Sequence, residues 1–149
     1  MLTDILKVLF NNHFNKLKIE IELYKNESTI WKTQKGIANS GGNLCLHLIG
    51  NLNTYIAAAL GKTNYSRNRA LEFSLKDIPR ALLLTNIEET RVAVENTLDS
   101  LAPQDLKMEF PLLVFEEKTT TEYMLIHLTT HLAYHLGQIN YHRRLEKLK

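Results

Sequence analysis

Cysteine occurs once, at Cys45. That excludes a disulfide within the chain and suits a reducing compartment. Proline occurs three times, at Pro79, Pro103 and Pro111, and each marks a helix start or a connection. No apolar run approaches the ~20 residues that a membrane span needs, so no membrane partner is expected. Excess charge is small: the formal net charge is +2, with Lys and Arg interleaved among Asp and Glu. A nucleic-acid partner calls for a basic patch or stripe, and none is present. The densest basic stretch, HRRLEKLK at 142–149, reads as the solvated end of a helix, where cations suit the dipole. MLTDILKVLF at the start carries Asp4 and Lys7 inside its apolar pattern, which makes a poor signal peptide. These absences predict a cytoplasmic protein. Without a secretory signal, the sequons at Asn26 and Asn64 are chance matches.

Helical periodicity fills the chain instead. A length of 149 residues suits one domain, 1–149, able to bury a core without disulfides or a structural metal. Leu2, Leu6, Leu9, Leu17 and Tyr24 share one stripe, with His13 on it, and predict a first helix. A break follows around WKTQKGIANSGGN, where Ser40 is placed to cap a second helix over 43–60. Leu44, Leu48, Tyr55 and Ala59 share a face of that helix, and GKTNYSRNR then reads as a polar connection. Asp77 ahead of Ile78-Pro79 marks a third start, for a helix carrying Leu84, Ile87, Val94, Leu98 and Leu101. LAPQDLKMEFPLLVFEEK is a long connection, in which LLVF at 112–115 is a candidate strand without a partner. Thr119 and Glu122 suit a capping box for a last helix running to the C-terminus. Four helices and no strand alternation predict an all-α fold, a four-helix bundle with long connections.

The last helix is the unusual one. HLTTHLAYHLGQINYH, residues 127–142, holds four of the six histidines. With His131 as zero, His127, His135 and His142 fall at about −40°, +40° and +20°, and Gln138 at about −20°, for ~100° per residue. Leu125, Leu128, Leu132, Leu136 and Ile139 make an apolar face beside them, while Ile126, Ala133, Tyr134 and Tyr141 cover other directions. A helix apolar nearly all round is a buried one, so the histidines are expected to point into the bundle.

A single buried histidine ordinarily bonds a carbonyl or hydroxyl and does nothing else. Several on one stripe are harder to satisfy, and protonating them together would crowd like charges. A divalent cation resolves both difficulties by taking one nitrogen from each neutral ring. Residues four apart on a helix lie ~5–6 Å apart at Cβ, which lets two imidazoles converge on one ion. A third ligand must come from another helix, and periodicity leaves both His47 and His13 open. His142 lies ~10 Å beyond His135 along the axis, too far to join it. Protease chemistry of the HExxH kind is excluded, because Leu128 and Leu132 stand where Glu must follow the first His. Cys45, two residues from His47, falls on nearly the opposite side of its helix and reads as a small buried residue. GKT at 61–63 has Ile56 where a P-loop needs Gly.

LCLHLIGNL on an early helix, followed late by LIHLTTHLAYHLGQINYHRRL, resembles the DinB/YfiT-like superfamily of metal-binding four-helix bundles. The specific parts are His131, His135, Gly137 and Gln138 late, and His47 early. The resemblance implies that His47, His131 and His135 hold one divalent metal, zinc or nickel, with coordination positions left open. It selects His47 over His13 and leaves His127 as an extra histidine, the candidate catalytic or substrate-facing group. It further implies a homodimer acting on a small-molecule substrate with a low-molecular-weight thiol such as bacillithiol, mycothiol or glutathione. Arg67 and Arg69 are the candidates to hold the acidic part of such a thiol. A non-catalytic metal-binding bundle and a metal-dependent hydrolase are the alternatives.

Overall fold

A computed structural model describes residues 1–149 and shows an all-helical chain. Six α-helices run in the order α1 (Leu2–Leu23), α2 (Gly41–Leu52), α3 (Arg69–Ser74), α4 (Arg80–Ser100), α5 (Pro103–Lys107) and α6 (Thr121–Lys147). A 3-10 turn at Glu27–Trp31 precedes α2, and a π-turn at Asn53–Ala58 extends it. Helix α1 packs on α4 and α6, and α2 packs on α3, α4 and α6. Leu6, Phe10, Phe14, Leu17 and Ile21 bury the inward stripe of α1. Leu83, Ile87, Val94 and Leu98 do so for α4, and Leu125, Leu128, Leu132, Leu136 and Ile139 for α6. Each such side chain contributes roughly 1.5–3 kcal/mol on burial, which offsets the polar groups buried among them.

Caps set the helix starts, and two of them correct the sequence reading. Ser40 does cap α2, its side chain accepting from the Asn43 backbone N–H at 3.1 Å. Asp77 caps nothing; it sits at a left-handed φ of 58°, and α4 begins only after Pro79. The physical reason is that proline holds the residue before it in extended backbone, so Ile78 cannot be helical. The Glu27 carboxylate, from the 3-10 turn, accepts the Arg80 N–H at that start. Likewise Thr120, not Thr119, caps α6, accepting from Tyr123 N–H at 3.2 Å. The Thr119 carbonyl is taken by Phe110 N–H at 2.7 Å, which keeps the chain extended one residue longer. Glu122 pairs with Lys107 instead of closing a capping box.

Other expectations shift as well. The second helix turns α to π at Asn53. Its polar sequel holds α3, whose start Asn68 caps by accepting from Leu71 N–H at 3.3 Å. Leu9 is exposed, and Phe10 and Phe14 take the core positions beside it. LLVF at 112–115 forms no strand. Helix α6 is not buried all round: Ile126, Tyr134 and Tyr141 are 47%, 65% and 63% exposed. It packs on α1, α2 and α5 but leaves those three side chains uncovered, so His127, His131 and His135 lie half-buried along the seam between core and solvent, while His142 is buried.

Helix α2 is pressed against the 3-10 turn. A Cβ on Gly42 would lie 2.6 Å from the ring of the buried Trp31. Gly42→Ala is therefore expected to destabilise the protein by about 1–3 kcal/mol in urea unfolding, the usual cost of overpacking. Gly137, within α6, has nothing within 4 Å of where its Cβ would stand. There Ala is expected to stabilise by about 0.5–1 kcal/mol, because it removes only the helix cost of glycine. Equal responses at the two sites would refute the packing described.

Candidate metal centre

Helices α2 and α6 bring three imidazoles to one point. His131 and His135 sit one turn apart on α6, with their Nε2 atoms 3.1 Å apart. His47, from the middle of α2, places its Nε2 3.4 Å from that of His131. The three ligand atoms all lie within 4.8 Å of one another. Two nitrogens bound tetrahedrally to one zinc ion stand about 3.3 Å apart, given Zn–N bonds of ~2.0–2.1 Å. Two of the three nitrogen pairs are already close to that spacing.

The far side of two rings fixes their protons. Glu72 Oε1 lies 3.1 Å from His47 Nδ1, and Gln138 Oε1 lies 2.7 Å from His135 Nδ1. Both oxygens accept, so both Nδ1 atoms carry the proton and both Nε2 atoms present lone pairs. A proton on His131 Nε2 can serve only one of the two contacts it faces. A cation serves all three nitrogens at once. The donor set thus fits a borderline-soft divalent ion, and it supplies three ligands where a closed structural zinc site has four.

Electrostatics point the same way. Burial first, then the neighbouring His135, His47 and His127 and the Arg67 cation, push His131 down to about 4. Burial also lowers His47, against the raising effect of its bond to Glu72. Neutral rings are the form a metal needs.

The other sequence candidates fall into place around this cluster. His13 is absent from it; it lines a separate cleft between α1 and α6 with Nδ1 buried and unpartnered. His142 is satisfied within the core, accepting from Tyr24 O–H at 2.6 Å and donating from Nε2 to the Lys32 carbonyl at 2.7 Å. Its role is to tie the loop before α2 to α6. His127 lies one turn from the cluster, its ring 6.2 Å from that of His131 and edge-on to Phe115 at 4.8 Å. Arg67 does not present a free guanidinium: Nε and Nη2 donate to the two oxygens of Glu72 at 2.8 and 2.9 Å. The buried carboxylate of Glu72 claims it, which leaves less of it for an anionic ligand than the sequence suggested. Arg69, on α3, is exposed over the ring of Phe73, and Phe73 in turn packs on His47 at 5.1 Å. Cys45 is fully buried and its thiol is pushed up by burial, as a core residue should be. Glu72 is the residue sequence reasoning missed; its only local signal was the Asn68 cap that starts α3 three residues before Leu71.

A cleft of about 630 Å³ lies beside His135, between α6 and the loop at 36–39. Ile37, Leu44, Tyr134, Gln138 and Tyr141 wall it, and no Lys, Arg, Asp or Glu lines it.

Fold and site together define an all-helical protein whose three close histidines can hold a metal ion. The chain belongs to the family described as "Protein of unknown function (DUF1572)", whose model matches residues 6–147. No curated protein matches it. No helix is long and apolar enough to cross a membrane.

The depressed His131 gives a signed pH dependence for metal-free protein. Between the ordinary value of 6.5 and about 4, the unfolded chain takes up a proton that the folded one refuses. Stability from this group is complete above pH 6.5, is lost as pH falls through that window, and falls no further below about 4. The melting temperature of chelated protein should trace this slope, and His131→Asn should flatten it. An unaltered slope in that variant would contradict the assignment.

Proposed function

We propose that this chain is a DinB-like metal-dependent enzyme in which α1, α2, α4 and α6 form a four-helix bundle. His47, His131 and His135 would hold one divalent ion, zinc or nickel. The reaction we favour is transfer of a low-molecular-weight thiol to a small uncharged electrophile. The observation that carries the reading is the convergence of three Nε2 atoms, with the protons of His47 and His135 drawn to their opposite nitrogens. When bound, such an ion supplies Lewis acidity, favouring the thiolate form of a thiol at neutral pH.

The chain's own residues divide the remaining work. The uncharged walls of the cleft at His135 suit an apolar electrophile. Tyr134 and Tyr141 offer aromatic faces there. Arg69, exposed beside Phe73, is the cation left to meet the acidic part of a natural thiol. His127, half-buried one turn from the cluster, is the candidate proton carrier. The second reading is a non-catalytic metal-binding homodimer. The exposed Ile126, Tyr134 and Tyr141 on α6 favour it, because they offer an apolar face to a second copy.

Element analysis of untagged protein should find one equivalent of metal, lost in His47→Ala, His131→Ala and His135→Ala but kept in His13→Ala. Undiminished metal in His47→Ala would break the triad. Metal-loaded protein should conjugate bacillithiol, mycothiol, glutathione or coenzyme A to monochlorobimane faster than His131→Ala does. A metal-dependent esterase or amidase rate with no thiol transfer would favour hydrolysis. Inactivity in both assays would favour the non-catalytic dimer.

A further inference from the structure

Glu72 is not among the three histidines, yet the chain builds a seat for it. The residue is 5% exposed, on a helix of six residues inserted between α2 and α4. Its Oε1 meets His47 on Nδ1, the ring nitrogen that faces away from His131 and His135. Arg67 closes over it with two further hydrogen bonds. Gly50, three residues after His47 on α2, makes the space: a Cβ there would lie 1.9 Å from Glu72 Oε2. A glycine inside a helix costs roughly 0.5–1 kcal/mol relative to alanine, and the space for this carboxylate is what it gains here. A buried carboxylate that served only to pair with Arg67 would need neither the imidazole nor the glycine.

We propose that Glu72 is a positioning residue for the metal centre, holding the tautomer and ring angle of His47 that aim its Nε2 at His131 and His135. Gly50 seats it and Arg67 neutralises it. Outer carboxylates on metal-bound histidines act in this way, orienting the ring and raising its basicity. Because Arg67 cancels the charge of Glu72, the three neutral ligands leave the positive charge of the ion undiminished for an incoming anion.

The inference rests on the metal-binding reading, and its test separates the two. Zinc affinity is measured by chelator competition, with the His47 ring tautomer read from imidazole nitrogen-15 shifts in metal-free protein at pH 8. Glu72→Ala should weaken zinc binding about 10–100-fold, the usual effect of losing such a partner. Gly50→Ala should weaken it as well, with every ligand and Glu72 itself still present. Glu72→Gln keeps an acceptor oxygen and should retain most of the affinity and the wild-type tautomer. Wild-type affinity in both Glu72→Ala and Gly50→Ala would overturn the proposal while leaving the metal site standing. If Glu72→Ala fails to fold by circular dichroism, Gly50→Ala and Glu72→Gln decide the matter alone. A wild-type protein that binds no zinc, nickel or cobalt would overturn both readings together.

Discussion

The packing of α2 on α6 is the constraint on which the rest depends, because it alone brings His47 within 3.4 Å of His131. Two turns of one helix can present two imidazoles anywhere. A third ligand requires two helices fixed in register to within a fraction of an ångström. The chain secures that register at several points. Trp31 presses on Gly42 at the start of α2, and Ser40 fixes where the helix begins. His142 reaches from α6 to Lys32 and Tyr24, pinning the segment that leads into α2. Below the histidines, Leu44 and Leu48 join the same buried cluster as Leu128 and Leu132. The polar site is therefore mounted on an apolar one.

How far the sequence revealed this depends on the range of the interaction. The α6 histidines were legible because helical geometry is local: spacing by four fixes a common face whatever the fold. The apolar stripes of α1, α4 and α6 were legible for the same reason, with Leu9 displaced by Phe10 and Phe14 as an error of one position. His47 was not legible from periodicity, which left His13 equally open; only the resemblance chose between them. Glu72 was invisible, since its meeting with His47 joins residues 25 apart in sequence through a helix of one and a half turns. Exposure misled in the other direction. Ile126, Tyr134 and Tyr141 suggested a helix buried on all sides, whereas they face outward. Composition reports how apolar a side chain is and not whether a neighbour exists to cover it.

Helix starts show the same division. Ser40 succeeded because an N-cap is decided within four residues. Asp77 failed because the restriction that Pro79 places on Ile78 outweighs the preference of a carboxylate for a helix start. Thr119 failed because a backbone bond to Phe110, on the far side of a long loop, holds it extended. Local preference decides only where no distant partner competes.

The side from which each charge approaches bears on the chemistry. Glu72 is the carboxylate in contact with the triad, and it touches the Nδ1 side of His47 with Arg67 bound to it. It cannot also take a proton from a substrate on the Nε2 side of the same ring. The cleft at His135 contributes no acid either. A site without a carboxylate base favours a nucleophile that gives up its own proton readily. A thiol, with an ordinary value of ~8.5, needs a shift of only one or two units to ionise at neutral pH. Water, at ~15.7, needs a far larger one, of the size a zinc ion can supply, and then a group to receive the proton. His127, against Phe115, is one remaining group for that purpose, and its ring stands 6.2 Å from that of His131. Glu72, the one carboxylate in contact with the triad, is thus engaged on the Nδ1 side of His47 and by Arg67, and the thiol-transfer reading proposed above asks nothing more of it.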